Sequence, residues 1–487
     1  MNKTLLKELK KATNYTYTEN GALTHKSTLN KCYDLFAFGG ALRNRNEEAI
    51  LRMFYDALKE DELLAMKLLF YIRDVRGGLG ERRTFRTILH SLGNSHPHLV
   101  EKNIELIAHY GRWDDILVLF DTKCENKMIE LIAMTLIDDC GASNPSLLAK
   151  WLPSENASSS ESKRMARKLA KKMKLSNKEY RKILSKLRER INIVETLLTE
   201  KRYDEIEFDK LPSRAGLKYE YAFLNHEELK YRYKEFINDK NSKVNAKTLY
   251  PYDIVRKAWY CDDDEAEVLD KYWNNLVDYF DGKSCNILPV IDNSNSMTWN
   301  GYGNVMPIDV AISLGIYCAE RNHGEFYNHY ISFSSEAKLI ELSGNNIVEK
   351  VKSAVKEVYI ESTNIKSVFD LVLNTLKNSN LSEEYLPERI VIISDMEFNR
   401  GVEFSNKKDT LMESIRKEWA REGYEMPSLV YWNVNSRQNN ISDLGANNIT
   451  YVSGCTPMIF ECIMKGKNGI DLMLDILNSN RYLSVTI

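Results

Sequence analysis

The sequence predicts a two-domain protein, in which an all-helical repeat region precedes an α/β domain with a doubly wound, mostly parallel sheet. Three observations support this fold class. The chain has 487 residues, which is more than one hydrophobic core of ordinary size holds. Apolar residues recur at three- and four-residue spacing through the first half. Beyond about residue 282, short apolar runs alternate with helical segments, as strands do with crossover helices.

The helical region begins near residue 28. Ile50, Leu51, Phe54 and Leu58 share one helical face, and little strand signal accompanies them. Breaks that contain glycine cut the region into segments of helical-hairpin length, at residues 38–40, 76–80, 110–112 and 140–141. This predicts a stack of paired helices of the HEAT-like kind. We assign residues 28–282 to this domain and residues 1–27 to an N-terminal extension.

The second domain is predicted over residues 283–487, with the boundary near Gly282. Apolar runs of buried-strand type occur at residues 287–291, 326–333, 390–394 and 428–434. Helical patterns lie between them at residues 308–321, 347–358, 365–376 and 408–422. Such alternation implies a mostly parallel sheet with helices on both faces, and ligands of such sheets bind at the carboxyl ends of the strands.

The composition is that of a globular protein outside the membrane. Hydrophobic residues make up 43% of the chain, but no stretch approaches the roughly 20 apolar residues that span a bilayer. The N-terminus has no apolar core of the signal-peptide type, so we expect a cytoplasmic protein. The eight cysteines are scattered without C-x-x-C spacing, which favours buried free thiols over a zinc or redox site.

A net charge of −2 conceals one strongly basic segment, the predicted insert at residues 155–190. Between Glu161 and Arg190 the chain has thirteen Lys or Arg against three Glu. Such a segment suggests a polyanionic partner. Two other interpretations stay open: a solvated helical face, or a flexible loop, because the preceding residues 154–160 are poor in apolar side chains.

A candidate cation site follows the first predicted strand of the second domain. Asp292, Ser294 and Ser296 form a D-x-S-x-S spacing, and their oxygens can converge on a hard cation such as Mg²⁺, Mn²⁺ or Ca²⁺. The alternative is a polar turn whose hydroxyls bond the local backbone. Thr363 precedes a later helical pattern, and Asp395 ends another apolar strand in a carboxylate.

These five residues resemble the metal-ion-dependent adhesion site of the von Willebrand factor A family. The resemblance implies that Asp292, Ser294 and Ser296 form the first ligand motif, Thr363 the second and Asp395 the third. A cation held by two hydroxyls and one or two carboxylates retains positive charge, so a carboxylate or phosphate of a partner can complete its shell. The chain departs from the family at Glu361, where a glycine is usual, and this acid can weaken an anionic partner's binding.

The whole chain is similar to the Ro ribonucleoprotein (TROVE) superfamily, and most closely to a viral and plant branch of uncharacterised Ro-like proteins. The resemblance rests on residues 73–83, residues 111–115 and the A-type domain that follows. It implies a ring of helical repeats, closed by the A domain, that binds small noncoding, structured or misfolded RNA. A ring closed within one chain needs no partner subunit, so we expect a monomer. The cations that we expect to contact RNA are Arg73, Arg76, Arg82, Arg83, Arg86, Lys163, Arg164, Arg167, Lys168, Lys171, Lys172, Lys174 and Arg181.

The first five of these arginines also have a structural interpretation. Arg73 and Arg76 can pair with acids of adjacent helices, while Gly77, Gly78 and Gly80 permit a tight turn between helices. Asp114 and Asp115 then resemble a helix start.

No catalytic motif occurs in the sequence: it has no phosphate-binding loop, nucleophile elbow or H-E-x-x-H motif. We therefore expect a binding protein. The leading hypothesis is an RNA-binding scaffold of Ro type, and the alternative is a metal-dependent protein-interaction module without RNA. A third hypothesis is a metal-dependent nuclease in which Asp292 and Asp395 hold Mg²⁺ and Glu397 acts as base.

Overall fold

The computed structural model describes residues 5–191, 193–261, 263–280, 286–298, 305–356, 362–400, 409–444 and 448–487. Helix α1 (Leu5–Ala12) lies in the N-terminal extension. The helices of the first domain are α2 (Lys31–Phe38), α3 (Glu47–Glu60), α4 (Glu62–Arg73), α5 (Arg82–Ser95), α6 (Pro97–Lys102), α7 (Leu106–Tyr110), α8 (Glu125–Gly141), α9 (Leu148–Trp151), α10 (Ser160–Lys172), α11 (Asn177–Ile191), α12 (Val194–Thr199), α13 (Ser213–Asn225), α14 (Glu227–Asn238), α15 (Pro251–Ala258) and α16 (Asp263–Asn274).

The strands are β1 (Tyr15–Tyr17), β2 (Leu23–His25), β3 (Ile287–Asp292), β4 (His329–Phe333), β5 (Ala337–Glu341), β6 (Arg389–Ser394), β7 (Ser428–Asn433) and β8 (Ile449–Ser453). The helices of the second domain are α17 (Pro307–Arg321), α18 (Ile347–Lys356), α19 (Lys366–Ser379), α20 (Leu411–Arg421), α21 (Met458–Met464) and α22 (Gly469–Leu477). Short 3-10 helices occupy Gly39–Asn44, Trp113–Leu119, Tyr203–Glu205, Phe208–Lys210, Asn295–Thr298, Glu383–Tyr385 and Asn480–Tyr482.

The first domain is helical, as predicted. Asn46 and Asp61 cap α3 and α4, each accepting a hydrogen bond from a backbone amide of the first turn. Successive helices pack on one another, α2 on α3, α3 on α4 and α4 on α5, so most contacts join neighbours along the chain. This is how helical repeats bury their apolar faces.

The predicted glycine break at residues 76–80 is the tight turn between α4 and α5. The backbone amides of Leu79 and Glu81 donate to carbonyls at the end of α4. Gly80 has a φ of +69°, and a Cβ on Gly78 would lie 2.1 Å from the Tyr71 carbonyl oxygen. Only glycine fits this close approach without displacing backbone.

The second domain contains a six-stranded sheet in the order β5-β4-β3-β6-β7-β8. All neighbours are parallel except β4 and β5. The four predicted strands are present, although β4 begins at His329, three residues later than predicted. The strands β5 and β8, each five residues long, were not predicted from the sequence.

The order of the strands reverses at β3, which lies between β4 and β6. Helix α17 packs on β3, β4 and β6, whereas α19 packs on β4, β5 and α20. Right-handed crossovers on either side of such a reversal place these two sets of helices on opposite faces of the sheet. The carboxyl ends of β3 and β6 therefore meet at the position where sheets of this kind bind ligands.

The predicted N-terminal extension contains an antiparallel hairpin of β1 and β2. It lies against the second domain, where His25 bridges to Ile441 and Gly21 bridges to Asn399. Strand signal was too weak for prediction here because each strand has three residues. The hairpin thus contacts residues that lie more than 370 positions later in the sequence.

The two domains are in contact at several places. Helix α2 packs on β8, and a Cβ on Gly40 would lie 2.5 Å from the Ser453 carbonyl oxygen. Helix α15 packs on α17. The C-terminal residues return to the first domain, where Asn103 bonds the backbone of Thr486 in both directions. The helical region thus meets the second domain both near its start and near its end.

Three predictions from composition have mixed outcomes. No helix of the described part of the chain is long and apolar enough to cross a membrane. Cysteines 32, 124, 261, 318, 455 and 462 are buried free thiols, but Cys140 is exposed near the end of α8, where the prediction of burial is wrong. Cys285 lies outside the described residues. The predicted boundary at Gly282 lies outside the described residues.

Candidate functional site

The predicted cation ligands lie together at the carboxyl ends of adjacent parallel strands. Asp292 is the last residue of β3, and Asp395 directly follows β6. Thr363 lies in the loop before α19. Both Asn293 and Asn364 donate their backbone amides to the end of β4, to the carbonyls of Phe333 and Ser334. The fold therefore brings together residues that are up to 103 positions apart in the sequence.

The carboxylate of Asp292 is fully buried and accepts two hydrogen bonds. One comes from the Ser294 backbone amide at 2.9 Å, and the other from the Ser394 hydroxyl at 2.5 Å. The hydroxyl oxygens of Ser294 and Ser296 are 3.0 Å apart. The first bond is a local turn contact of the kind that the alternative interpretation proposes. The two hydroxyls bond each other, and that of Ser296 also bonds Asp395, so a cation would have to replace these bonds.

Asp395 is also buried, and its partners come from three separate segments. Ser296 hydrogen-bonds its carboxylate, as does Arg437 at 3.0 Å, and the Glu397 backbone amide donates to it at 3.2 Å. Met396, which lies between Asp395 and Glu397 in the sequence, has a φ of +65°. This left-handed conformation is unusual for a residue with a side chain. Strained backbone of this kind is common where a loop is shaped around a ligand.

Thr363 joins the cluster through the N-terminal hairpin. Its side chain is buried, and its oxygen lies 3.5 Å from the amide nitrogen of Asn20. Its carbonyl accepts the Asn399 backbone amide at 2.8 Å, which ties its loop to the segment after β6. We call Asp292, Ser294, Ser296, Thr363 and Asp395 the oxygen cluster.

The buried carboxyl groups in and beside the oxygen cluster have pKa values above their usual range. Burial, and secondly the charge of Asp395, raises the pKa of Asp292 above its usual range. Burial raises the pKa of Asp395 as well, although Arg437 opposes this. Burial also raises the pKa of Glu397 to about 7, and its Oε1 has no hydrogen-bond partner among the described residues. A divalent cation would relieve this repulsion.

The donor set fits an oxygen-preferring cation. Two carboxylates and three hydroxyls are ligand types that suit Mg²⁺, Mn²⁺ or Ca²⁺. In the part of the chain that the structure describes, no group of three or more His, Cys, Asp or Glu could hold a metal ion. The two carboxylates are too few to hold a cation by themselves. Cation binding here would also need the hydroxyl oxygens of Ser294, Ser296 and Thr363 as ligands.

Four residues that contact the oxygen cluster or its neighbours were not predicted from the sequence: Glu19, Asn20, Ser394 and Arg437. Ser394 directly precedes Asp395, so its place at a strand end was a usable signal. The others are brought in by tertiary contacts that no spacing indicates. Glu361, which distinguishes the loop from that of the resembled family, lies outside the described residues.

The predicted RNA contacts of the first domain fall into two groups. In the first, Arg73 is buried and bonds Asp115 at 2.7 Å. Arg86 bonds both Asp115 and Asp114, at 2.6 and 2.8 Å. Arg82 also pairs with Asp114, at 3.4 Å. Arg73 is thus paired with an acid, as the structural interpretation proposed. Arg82 and Arg86, to which that interpretation gave no partner, also bond acids at the start of this 3-10 helix.

The remaining two arginines of this group bond carbonyls. Arg83 donates to the Arg43 and Arg45 carbonyls, and Arg76 to the His109 carbonyl at 3.2 Å. Arg76 therefore does not take the acidic partner that the structural interpretation gave it. Its side chain is exposed, as is that of Arg82.

The second group lies on two amphipathic helices, α10 and α11, which pack on each other. Leu169, Tyr180, Leu184 and Leu187 are buried, so the flexible-loop interpretation of this segment is wrong. The basic hairpin, as we call residues 160–191, is an ordered part of the first domain. Its capping residue is Ser159, which accepts the Ser162 backbone amide.

Some cations of the basic hairpin form ion pairs with acids of the same chain. Lys168 and Lys172 pair with Glu125, both at 2.7 Å. Arg164 pairs with Glu161 at 2.7 Å, and Arg167 lies 3.7 Å from Glu155. Arg188 and Arg190 bond backbone carbonyls. The other cations have no ion-pair partner within the described ranges: Lys163, Lys171, Lys174, Lys178, Arg181, Lys182 and Lys186.

Lys178, Lys182 and Lys186 recur every four residues along α11 and are all exposed. Residues at this spacing lie on one face of a helix, with about 6 Å between successive positions. The three ammonium groups therefore form a line of positive charge in solvent. Such a line can contact successive phosphates of a nucleic acid.

Two family models and one viral protein match this chain, and none of their descriptions gives an activity. The family described as "Domain of unknown function (DUF2828)" matches residues 18–135 and 134–284, and that described as "Domain of unknown function (DUF7788)" matches residues 286–477. "Uncharacterized protein L728" of Acanthamoeba polyphaga mimivirus is 29% identical over 510 residues, which covers 95% of this chain and 87% of L728.

One solved structure extends along most of the chain. The crystal structure of the Deinococcus radiodurans RO (RSR) protein aligns with 91% of this chain and 100% of its own, at 11% sequence identity and a TM-score of 0.41. That score is too low to carry an argument about fold or function. The Ro-like assignment therefore stays a prediction from the sequence motifs.

Proposed function

We propose a function for this chain, which belongs to the family described as Domain of unknown function (DUF2828). The protein is a non-catalytic RNA-binding scaffold that holds a small structured or misfolded RNA on the basic hairpin. The observation that carries this proposal is the row of Lys178, Lys182 and Lys186, which are exposed and lack ion-pair partners within the described ranges. An unpaired cation in solvent retains its full charge for a phosphate.

Counterion release gives such a surface its affinity. Each phosphate that a lysine neutralises frees condensed cations, which favours binding without regard to sequence. Tyr180 is the aromatic residue within α11, and it is buried, so it cannot stack on a base. The basic hairpin therefore suits the backbone of a structured RNA better than the bases of a single strand.

The finer proposal is that of a Ro-type ring closed by a von Willebrand factor A-type domain. It rests on the motifs at residues 73–83 and 111–115 and on the ligand pattern at Asp292 and Asp395. Two contacts support ring closure: α2 packs on β8 at one end of the helical region, and α15 packs on α17 at the other. The Tyr250 hydroxyl also donates to the Leu79 carbonyl at 3.3 Å, so the end of the helical array contacts its beginning.

Charge removal on α11 tests the proposal. The triple variant Lys178→Gln, Lys182→Gln, Lys186→Gln should bind a structured small RNA about 10- to 100-fold more weakly than wild type in about 0.1 M salt. The slope of log affinity against log salt concentration should become shallower by about 2.7, since each of the three lysines contributes about 0.9. Fluorescence anisotropy over a salt series measures both quantities.

A second triple variant is the matched control. Lys240, Lys243 and Lys247 are exposed in the segment between α14 and α15, and their replacement by Gln changes the net charge equally. This variant should lose less than about threefold in affinity. Equal losses in both triple variants would mean that net charge alone attracts RNA, and failure of the wild type to bind would refute the function.

The oxygen cluster favours a second candidate function, a divalent-cation site for a protein partner. Its buried carboxylates Asp292 and Asp395 repel each other, and Ser294, Ser296 and Thr363 add neutral oxygens. When bound, the cation would accept a carboxylate oxygen from the partner. The residues of this chain hold the cation and exclude water from one side of it.

Asp292→Asn separates this candidate from a purely structural cluster. The substitution keeps the shape and a hydrogen-bonding oxygen but removes one charge. Mn²⁺ binding, measured by calorimetry, should weaken at least tenfold, since one carboxylate ligand is lost. Loss of a co-purifying protein upon Asp292→Asn or EDTA treatment, with RNA binding intact, would assign the cation to protein recognition. Unchanged Mn²⁺ binding in the variant would remove the site.

A further inference from the structure

The tip of the N-terminal hairpin, residues 18–22, lies across the oxygen cluster. The Thr18 hydroxyl donates to the Phe398 carbonyl at 2.7 Å, and the Glu19 backbone amide donates to Glu397 Oε2 at 2.7 Å. Asn20 donates its side-chain amide to the Glu397 carbonyl and lies 3.5 Å from the Thr363 hydroxyl. The hairpin tip is thus bonded to both loops that carry Thr363 and Asp395.

Arg437 connects the hairpin tip to the cluster electrostatically. One terminal nitrogen of its guanidinium lies 3.0 Å from Asp395 Oδ2, and the other lies 2.6 Å from Glu19 Oε2. The Arg437 side chain is 22% exposed, Asp395 is buried and Glu19 is 37% exposed. One cation is therefore shared between an inner carboxylate, which is a predicted metal ligand, and an outer carboxylate.

The contact between Arg437 and Asp395 matters because Arg437 and a divalent cation would compete for the same carboxylate. A divalent cation on the oxygen cluster would draw on the same carboxylate that now accepts a hydrogen bond from Arg437, and two positive groups about 3 Å from one carboxylate repel each other. We expect this repulsion to favour a state in which Arg437 has left Asp395. Glu19 is in contact with it and remains available, since its only described ion-pair partner is Arg437.

We propose that the hairpin tip and Arg437 form an intramolecular occupant of the oxygen cluster, in which Arg437 neutralises Asp395 until a divalent cation displaces it, and Glu19 then retains Arg437. This inference rests on the proposed cation site. It assigns Arg437 as an internal competitor of the cation and Glu19 as the residue that makes the exchange possible. In the wild type the hairpin tip keeps its position during the exchange, because Glu19 still holds Arg437 and the bonds to Phe398 and Glu397 do not involve Asp395.

Two substitutions have opposite expected effects on Mn²⁺ affinity in the full-length protein. Arg437→Gln removes the competitor, so Mn²⁺ should bind about tenfold more tightly, as expected when a competing internal state is no longer populated. Glu19→Gln removes the second acceptor of Arg437, so Arg437 should hold Asp395 more firmly and Mn²⁺ should bind about threefold more weakly. Isothermal titration with MnCl₂ measures both changes.

The matched control is an exposed arginine–glutamate pair far from the cluster in sequence. Arg164 and Glu161 on α10 are 2.7 Å apart, and both are about 60% exposed. Arg164→Gln and Glu161→Gln reproduce the two charge changes and should leave Mn²⁺ affinity unchanged. They show whether net charge alone moves the affinity.

Hydrogen exchange of residues 15–25 gives a readout independent of affinity. In the wild type, saturating Mn²⁺ should leave the protection of the Glu19 amide in place, because Glu19 retains Arg437. In Glu19→Gln, saturating Mn²⁺ should increase exchange across the hairpin tip, because Arg437 then has no acid on the hairpin to contact. A structural pair without a role in the exchange would not make protection depend on Mn²⁺.

The outcomes distinguish this inference from the cation site itself. If Asp292→Asn abolishes Mn²⁺ binding while Arg437→Gln and Glu19→Gln leave it unchanged, the site stands and the inference is overturned. If Arg437→Gln weakens binding, Arg437 is a supporting residue and not a competitor, which also overturns it. If the wild type binds no Mn²⁺, both proposals fail together. Tighter binding in Arg437→Gln with weaker binding in Glu19→Gln supports both.

Discussion

Two clusters of cations that look alike in the sequence lie in opposite environments in the protein. Arg73 and Arg86, on α4 and α5, share the carboxylate of Asp115 at 2.7 and 2.6 Å. Lys178 and Lys182, on α11, lie in solvent without ion-pair partners in the part of the chain that the structure describes. The density of cations is similar, but the position of the acids differs, and only the fold determines that position.

This difference decides what each cluster can do. A buried arginine that is paired with an acid has already lost its hydration, and its charge is compensated, so it stabilises the helix contacts and offers nothing to a phosphate. An exposed lysine contributes little to folding, but its charge remains available. We therefore expect substitutions in the first cluster to change stability and substitutions in the second to change binding.

The largest expected effect belongs to the acid at the centre of the first cluster. Asp115→Asn should lower the free energy of unfolding by about 3–5 kcal/mol, because it leaves Arg73 buried without a compensating charge. Asp115 also accepts the Arg112 backbone amide at 2.9 Å, so the turn before the 3-10 helix loses a bond as well. Urea denaturation followed by circular dichroism measures the change.

The control for Asp115→Asn is Glu161→Gln on the basic hairpin. Its partner Arg164 is exposed, so the expected loss is below about 0.5 kcal/mol. If the two substitutions destabilise the protein equally, the contrast between a structural and a solvent-exposed cation cluster is wrong.

A smaller effect should appear on acidification. Burial works against the ionised form of Asp114, but hydrogen bonds from Arg112 and the charge of Arg86 outweigh it and hold the pKa of Asp114 at about 2. This lies below its usual value, so its contribution to stability is complete above about pH 4 and is lost as the pH falls through about 2. We expect a loss on the order of 1–2 kcal/mol over this window.

Denaturation at a series of pH values checks this window. Asp114→Asn should flatten the dependence of unfolding free energy on pH between about 4 and 2. Glu205→Gln, which loses an exposed pair with Arg202, should flatten it only at low salt, since about 0.5 M salt screens exposed charges. A flat wild-type profile in this window would show that the Arg112–Asp114 contact does not stabilise the folded state.

The sequence allowed the elements to be predicted better than their contacts. Apolar runs such as residues 390–394 identified β6 because a buried parallel strand needs continuous apolar residues. The positions of Asp292 and Asp395 followed from the rule that ligands lie at strand ends, and the fold does bring these carboxylates together. β5 was missed because most of its residues are at least partly exposed, so it has no continuous apolar run. β8 has the β-branched and aromatic composition of a strand and could have been predicted.

Contacts between distant segments could not be predicted in the same way. Nothing in the spacing of Glu19 and Arg437 indicates that they pair, since they are separated by 418 positions and join only when the hairpin docks on the second domain. The burial of Arg73 was likewise hidden, because an arginine in a helix can point to solvent or to an acid. The tertiary fold makes that choice.

The smallest expected effect tests the exposed members of the first cluster. Arg76 and Arg82 are exposed like the lysines of α11, but Arg82 pairs with Asp114 at 3.4 Å and Arg76 donates to the His109 carbonyl at 3.2 Å. The double variant Arg76→Gln, Arg82→Gln should therefore change RNA affinity by less than about twofold and leave the salt dependence as it is. Anisotropy under the conditions used for the α11 triple variant measures it. A loss per removed charge as large as that on α11 would show that exposure alone decides which cations meet RNA, and that neighbouring acids and carbonyls do not protect them.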